Sequence, residues 1–196
     1  MGKIKSALEI ALERTESVKT DKASVDLYKA RQEGKRIAND YLADQAKGLA
    51  AALKGQPEDR RKSLCQGILD VLVPQIMLPE DEEGLPRIKA VGEGLGLILK
   101  DRRFAEMFGQ LMQLLDGYLQ EVDRLDQGLR QQYAPKLRQK EEEVSRRLGQ
   151  EVRLDPMQDP EFAVFYNQHM GSLRANYQVP LDQVKEEALR LWGLQS

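Results

Sequence analysis

Between positions 104 and 129, apolar side chains fall at Phe104, Phe108, Leu111, Leu115, Tyr118, Val122, Leu125 and Leu129. The gaps alternate between four residues and three. That rhythm keeps a narrow seam on one side of a helix and favours left-handed knobs-into-holes packing against a second helix. The pattern predicts a long helix whose seam residues Phe108, Leu111, Leu115, Tyr118, Val122, Leu125 and Leu129 bind a partner, either within the chain or on another copy. Past Leu129 the register slips to Tyr133, Leu137, Val144 and Leu148. Pro135 has no N–H for the helical ladder and predicts a kink or a restart there. Helix carried from Phe104 to Gly149 would span about 69 Å at 1.5 Å per residue.

A connector over 149–158 follows. Within it Glu151-Val152-Arg153-Leu154 alternates like a short strand, with no second strand to pair with. Asp159-Pro160 is a helix start, an N-cap acceptor followed by proline at the first helical position. The next stripe is Phe162, Phe165, Tyr166, His169, Leu173 and Tyr177. Val179-Pro180 predicts a kink before Leu181, Val184, Ala188, Leu191 and Trp192. A short connector between two striped helices favours an antiparallel hairpin.

Upstream, Ile4, Ala7, Leu8, Ala11, Thr15 and Val18 share one face of a helix over 3–18, and the polar run 17–24 reads as a break. A second helix over 25–54 presents Leu27, Ala30, Gly34, Ile37, Ala38, Tyr41 and Leu42, and becomes alanine-rich at Ala43, Ala46, Ala50, Ala51 and Ala52. Gly55-Gln56-Pro57 ends it and opens a third helix, 57–73. Leu64, Cys65, Ile68, Leu69, Val71, Leu72 and Val73 crowd that helix on more than one face, so it should be the most deeply buried. The run 79–86 reads as a loop whose four carboxylates, Glu80 to Glu83, stay in water. A fourth helix from Pro86 carries Ile88, Val91, Leu95 and Ile98. Gly92, Gly94 and Gly96 within it predict close packing or a bend. The expected fold is therefore all-α: an N-terminal helical region, 1–100, followed by a long antiparallel helical hairpin with coiled-coil-like packing, 101–196.

Composition narrows the chemistry. Among 196 residues, 41% are hydrophobic and 32% charged, with a net charge of −2, which points to long solvated helices and against a general nucleic-acid binder. The single cysteine, Cys65, excludes an internal disulfide and a cysteine metal cluster and fits a cytoplasmic setting. No apolar run reaches the length of a transmembrane helix, and the N-terminus lacks the apolar core of a signal peptide. Met1-Gly2-Lys3-Ile4-Lys5-Ser6 fits the loose pattern for myristoylation at Gly2.

No residue set carries a recognisable catalytic constellation. His169 has no histidine partner and sits on the apolar stripe between Phe165 and Leu173, which reads as packing. Cys65 lies in an apolar helix, where burial raises a thiol pKa. Gly92-Glu93-Gly94-Leu95-Gly96 matches neither phosphate-loop spacing. A calcium loop aligned on Gly84 would start at Pro79 and end at Ala90, neither a carboxylate. One histidine cannot furnish a di-iron bundle. The basic groups Lys100, Arg102, Arg103 and Arg138, Lys140, Arg146, Arg147 have acidic neighbours and no interleaved aromatics, so they read as solvated faces.

Two stretches resemble an uncharacterised family of small bacterial all-helical proteins. They are Ile4-Lys5-Ser6-Ala7-Leu8-Glu9-Ile10-Ala11-Leu12-Glu13 and the segment from Gln131-Gln132-Tyr133-Ala134-Pro135 through Arg147-Leu148-Gly149 to Asp159-Pro160-Glu161-Phe162. The resemblance implies a bacterial cytoplasmic origin and no assigned activity. The expected function is a non-enzymatic scaffold or adaptor without metal or cofactor, acting through coiled-coil-like self-association or protein-partner binding. The alternative is a bundle holding a small apolar ligand between the glycine-bearing helix and the Cys65 helix. A further expectation is docking of 3–18 on a membrane or protein surface.

Overall fold

The computed structural model describes residues 7–45 and 48–195, and only the backbone of 7–23 and 195. Among the described residues the chain is helical, with no strand. The helices are α1 (Ala7–Ala43), α2 (Leu49–Leu53), α3 (Glu58–Leu72), α4 (Gly84–Leu99), α5 (Arg102–Leu148) and α6 (Pro160–Gln195), with 3-10 turns at Val73–Gln75 and Pro156–Gln158. Gly2 and the apolar face expected over 3–18 lie outside the residues whose side chains are described.

Several boundaries differ from expectation. α1 runs without interruption through the polar stretch 17–24, which contains no proline or glycine to stop it. The expected helix 25–54 instead breaks after Ala43 and resumes at Leu49, with Gly48 at the N-cap of α2. Of its apolar face, Ala30, Gly34, Ala38 and Tyr41 are buried, whereas Leu27 is exposed, as are Ala50 and Ala51. Gly55 follows α2 at φ +75°, a left-handed conformation that suits glycine. Pro57 is the N-cap of α3 and not its first residue, so the helix starts at Glu58, one residue later than expected. α4 starts at Gly84, not Pro86, because Asp81 accepts from the Gly84 N–H through its side chain at 3.1 Å. Glu80 to Glu83 are all exposed. α4 is continuous across its glycines and stops where Lys100 turns left-handed at φ 51°.

Contacts divide the chain into two units. One comprises Met1–Ile76, Ala90–Asp101 and Ala188–Ser196, and the other Met77–Lys89 and Arg102–Glu187. In the first, α1 and α3 run antiparallel and touch backbone to backbone. A Cβ on Gly34 would run into the Leu64 carbonyl oxygen, and one on Gly67 into the Arg31 carbonyl oxygen. Only glycine at both positions allows this approach, which also brings Cα–H groups towards opposing carbonyls. A charged rim brackets the crossing. Arg31 forks onto Asp70 at 2.8 and 3.0 Å, and Arg60 meets Glu33 at 2.6 Å. Burial pushes the Asp70 carboxyl up, but hydrogen bonds from Arg31 and Gln66 outweigh it and hold the group below the usual range.

α3 buries Leu64, Cys65, Gly67, Ile68, Leu69 and Leu72, as its crowded apolar pattern predicts. Gly94 of α4 lies against Leu72, Leu49 and Tyr41, where a Cβ would meet side-chain atoms at 2.9 to 3.1 Å. The Tyr41 hydroxyl donates to the Ala90 carbonyl at 2.9 Å, and the Trp192 indole N–H donates to Gln66 at 2.6 Å.

In the second unit, α5 and the part of α6 up to Glu187 form the antiparallel hairpin. Tyr118 faces Tyr177, Tyr133 faces Phe162, and Lys140 faces Asp159, so numbers rise on one helix as they fall on the other. α5 is one helix of 47 residues, about 70 Å long. Pro135 neither ends nor restarts it, and Pro180 leaves α6 continuous. The connector is not a strand. The Val152 N–H donates to Ser145 Oγ at 2.9 Å and the Leu154 N–H to Glu141 Oε1 at 2.8 Å, so side chains of α5 satisfy its backbone.

Candidate functional site

The seam nominated for partner binding is largely occupied by its own chain. Phe108, Leu111, Leu115, Tyr118 and Leu129 are buried. Val122 and Leu125 are half-buried and pack on a cluster of Leu129, Tyr133, Phe162 and Met170, joined by Phe165 and Tyr166. Tyr118 and Tyr177 meet in a tilted arrangement, with ring centroids 4.9 Å apart and planes at 55°. Aromatic pairs of this kind add directional contacts to the burial of the seam.

At the closed end of the hairpin, four polar side chains converge that the sequence pattern did not single out as a group. Lys140 Nζ lies 2.6 Å from Asp159 Oδ2, 3.1 Å from Glu161 Oε2 and 3.2 Å from the Tyr133 hydroxyl. Tyr133 in turn donates to Asp159 Oδ2 at 3.0 Å. Lys136 pairs with Glu161 from the other side. Asp159 is buried, and its second oxygen accepts from the Glu161 N–H at 3.1 Å, so the same carboxylate caps α6. Its position before Pro160 is the part legible in the sequence. The seven-residue separation of Tyr133 and Lys140 is the signal that puts them on one face of α5.

Mutual pairing sets the protonation states. The hydrogen bond from Lys140 holds the Asp159 carboxyl below the usual range, despite burial acting the other way. Hydrogen bonds to Asp159 and Tyr133 hold the Lys140 ammonium above an ordinary lysine. Burial raises the Tyr133 phenol. A protonated lysine, an ionised carboxylate and a neutral phenol that satisfy one another form a clasp, not a nucleophile with its base. The opening beside it, about 430 Å³ and lined by Val144, Leu154 and Arg147 among others, offers charges already engaged: Arg147 lies 2.5 Å from Glu143.

The clasp has a pH consequence. Asp159, Glu161, Asp70 and Asp126 all have lowered folded-state pKa values. Each contributes stability that is present above its unfolded pKa, around 4, and is lost as pH falls through the lower folded value. Urea denaturation should give a flat stability from pH 6 to 8 and a decline setting in below about pH 4. The decline should be shallower in Asp159→Asn, which has already lost one of the titrating groups.

The remaining nominated residues are scattered. Cys65 is buried and free, with burial pushing its thiol up. His169 is not packed inside, as its stripe position led one to expect. It is exposed on α6 with its ring edge on Phe165, because the α6 stripe turns its Phe162–Met170 side towards α5. Among the described residues, no group of three or more His, Cys, Asp or Glu side chains is placed to hold a metal ion, and no helix is long and apolar enough to cross a membrane.

One surface stands apart from these packed regions. Residues 24–29 of α1 are six consecutive exposed positions, with Val25 at 49% and Tyr28 at 63% exposure. Successive helical residues are about 100° apart, so six in a row cover every face of the helix. Among the described residues, every face of α1 is therefore open to solvent along this stretch.

No curated protein and no solved structure matches the chain. A family model does match over residues 50–190, from α2 to the last part of α6, and takes in the resemblance noted from Gln131 to Phe162. That match spans well over half of the sequence, and the chain belongs to the family of unknown function DUF6657.

Proposed function

We propose that the protein is a non-enzymatic helical scaffold or adaptor, working in the bacterial cytoplasm, that engages a protein partner or a second copy through coiled-coil-like helix pairing. The observation that carries this reading is the bare stretch of α1. An isolated helix is marginal in water and gains most of its stability from packing an apolar face. Val25 and Tyr28, three residues apart and so on one side of α1, are both exposed. The buried, unpaired Cys65 fits a reducing compartment.

Within this reading the 108–129 seam has a supporting role. It holds α6 on α5 and keeps the hairpin rigid, and engaging a partner through it would require α6 to leave. The alternative of an apolar ligand between α3 and α4 has less support. The space beside Gly94 is filled by Leu72, Leu49 and Tyr41, and the opening beside Cys65 and Ile98 is about 160 Å³, below the usual range for ligand sites.

The test is a Val25→Asp, Tyr28→Asp double variant. Both positions are exposed, so the change in folding stability should stay within about 1 kcal/mol. Light scattering after size exclusion, together with recovery of bound proteins from the native host, should show assembly or a partner lost in the folded variant. Unchanged assembly and unchanged recoveries would remove the support for this surface.

A further inference from the structure

The second unit contains a groove of about 440 Å³ bounded by Leu78, Pro79 and Glu80 ahead of α4, Tyr118 and Val122 of α5, and Arg174 of α6. Its walls combine three kinds of surface. Leu78, Pro79 and Val122 are aliphatic and half-buried or buried. Arg174 and Glu80 are exposed charges of opposite sign, and neither is in an ion pair among the described residues. This separates the groove from the clasp at the end of the hairpin, where every charge has a partner.

Tyr118 is the most informative member. It is 4% exposed, and its ring is held against Tyr177, whose own hydroxyl donates to Glu121 at 2.6 Å. The Tyr118 hydroxyl has no hydrogen-bond partner among the described residues. No fully enclosed side-chain oxygen or nitrogen among them is left unpaired, so this hydroxyl reaches open space, and the groove is the opening that Tyr118 lines. Buried phenols ordinarily find a partner for their polar end. Here a fixed aromatic ring presents a solvent-facing hydroxyl with no protein partner among the described residues to a concave site with a cation and an anion outside any ion pair and an aliphatic wall.

We propose that this groove binds a free α-amino acid with an apolar side chain. The carboxylate pairs with Arg174, whose planar guanidinium suits two-pronged recognition of that group. The ammonium pairs with Glu80, the aliphatic side chain lies on Leu78, Pro79 and Val122, and the Tyr118 hydroxyl supplies a hydrogen bond. Such a ligand uses both charges, whereas a simple carboxylate or amine would leave one unanswered. The volume lies within the range of small-molecule sites. This inference does not rest on the adaptor reading.

Isothermal titration calorimetry on the full chain tests it, with L-leucine, L-valine, L-methionine and L-phenylalanine as ligands. The controls are 4-methylpentanoate, which lacks the ammonium, and leucine amide, which lacks the carboxylate. Saturable binding of at least one amino acid is expected, with both controls much weaker. Arg174→Gln, at an exposed position, should weaken binding about tenfold or more, and Tyr118→Phe, which keeps the ring, by about threefold to tenfold. No saturable binding of any of the four would overturn the proposal. So would leucine amide binding as well as leucine, which would point to a peptide-like ligand, or binding indifferent to both substitutions, which would place the ligand elsewhere.

Discussion

Gly67→Val is expected to destabilise the protein by about 3 kcal/mol or more, a loss reserved for a few kinds of site. α1 and α3 are in backbone contact there, and a Cβ on Gly67 has no flexible side chain to displace, only the Arg31 carbonyl and the Lys35 backbone nitrogen. The helices would have to separate, and separation also stretches the Arg31–Asp70 fork beside the crossing. The control is the same residue type in open space. Gly171 of α6 is exposed with nothing within 4 Å of where a Cβ would stand. Gly171→Ala should therefore stabilise by about 0.5–1 kcal/mol, through helix propensity and a less disordered unfolded chain. Urea titration of the two variants beside the wild type reads both effects, and opposite signs are the expected result.

The second large effect is at neighbouring leucines of α5. Leu115 is fully buried, whereas Leu114, next along the helix, is 36% exposed. Leu115→Glu places a carboxylate in a fully buried position and should cost more than about 4 kcal/mol, enough to lose the hairpin's cooperative unfolding transition. Leu114→Glu should stay within about 1 kcal/mol of the wild type. Circular dichroism during denaturation distinguishes the two. The result also bears on how interaction is probed, because a charge at Leu115 disrupts the fold itself, and loss of a partner in that variant would say little about a docking surface.

The long-range order of α5 and α6 was legible because it is written in period. The 4-3-4-3 alternation from Phe104 to Leu129 puts Phe108, Leu111, Leu115, Tyr118 and Leu129 inside, and Asp159-Pro160 marks the start of α6 at the observed residue. Boundaries set by weak preferences were less legible. Ser17, Lys19, Thr20, Asp21, Lys22 and Ser24 look like a break, yet each costs only a few tenths of a kcal/mol in a helix, and the backbone continues through them. The alanines after Ala43 favour helix as strongly as any residue can, and the chain breaks among them all the same. Proline at 135 removes one ladder bond from a helix of 47 residues whose seam is held by a neighbour along much of its length.

What sequence reading could not supply is pairing between distant stretches. Gly34 stood on a recognisable apolar face, but nothing local says that its counterpart is the carbonyl of Leu64 or that Gly67 answers it across the same crossing. The Lys140–Tyr133–Asp159–Glu161 clasp spans residues brought together only when the hairpin closes. Tyr118 shows the limit most clearly. Its place in the stripe predicts burial, and it is buried, but the freedom of its hydroxyl depends on Tyr177 and Glu121 pairing with each other instead. The bare segment of α1 was hidden for the same reason, since Leu27 fits an apolar stripe whose partner helix, α3, packs only farther along.

The adaptor reading stands or falls on what covers that segment in the cell. A photo-crosslinking amino acid at position 28, compared with one at the exposed position 120 on α5, asks this directly in the native host. The account predicts a discrete higher-mass adduct from position 28, containing a second polypeptide or a second copy of the chain, and none from position 120. Folded protein that gives no adduct at position 28 would contradict it, because α1 would then be bare in the cell as well.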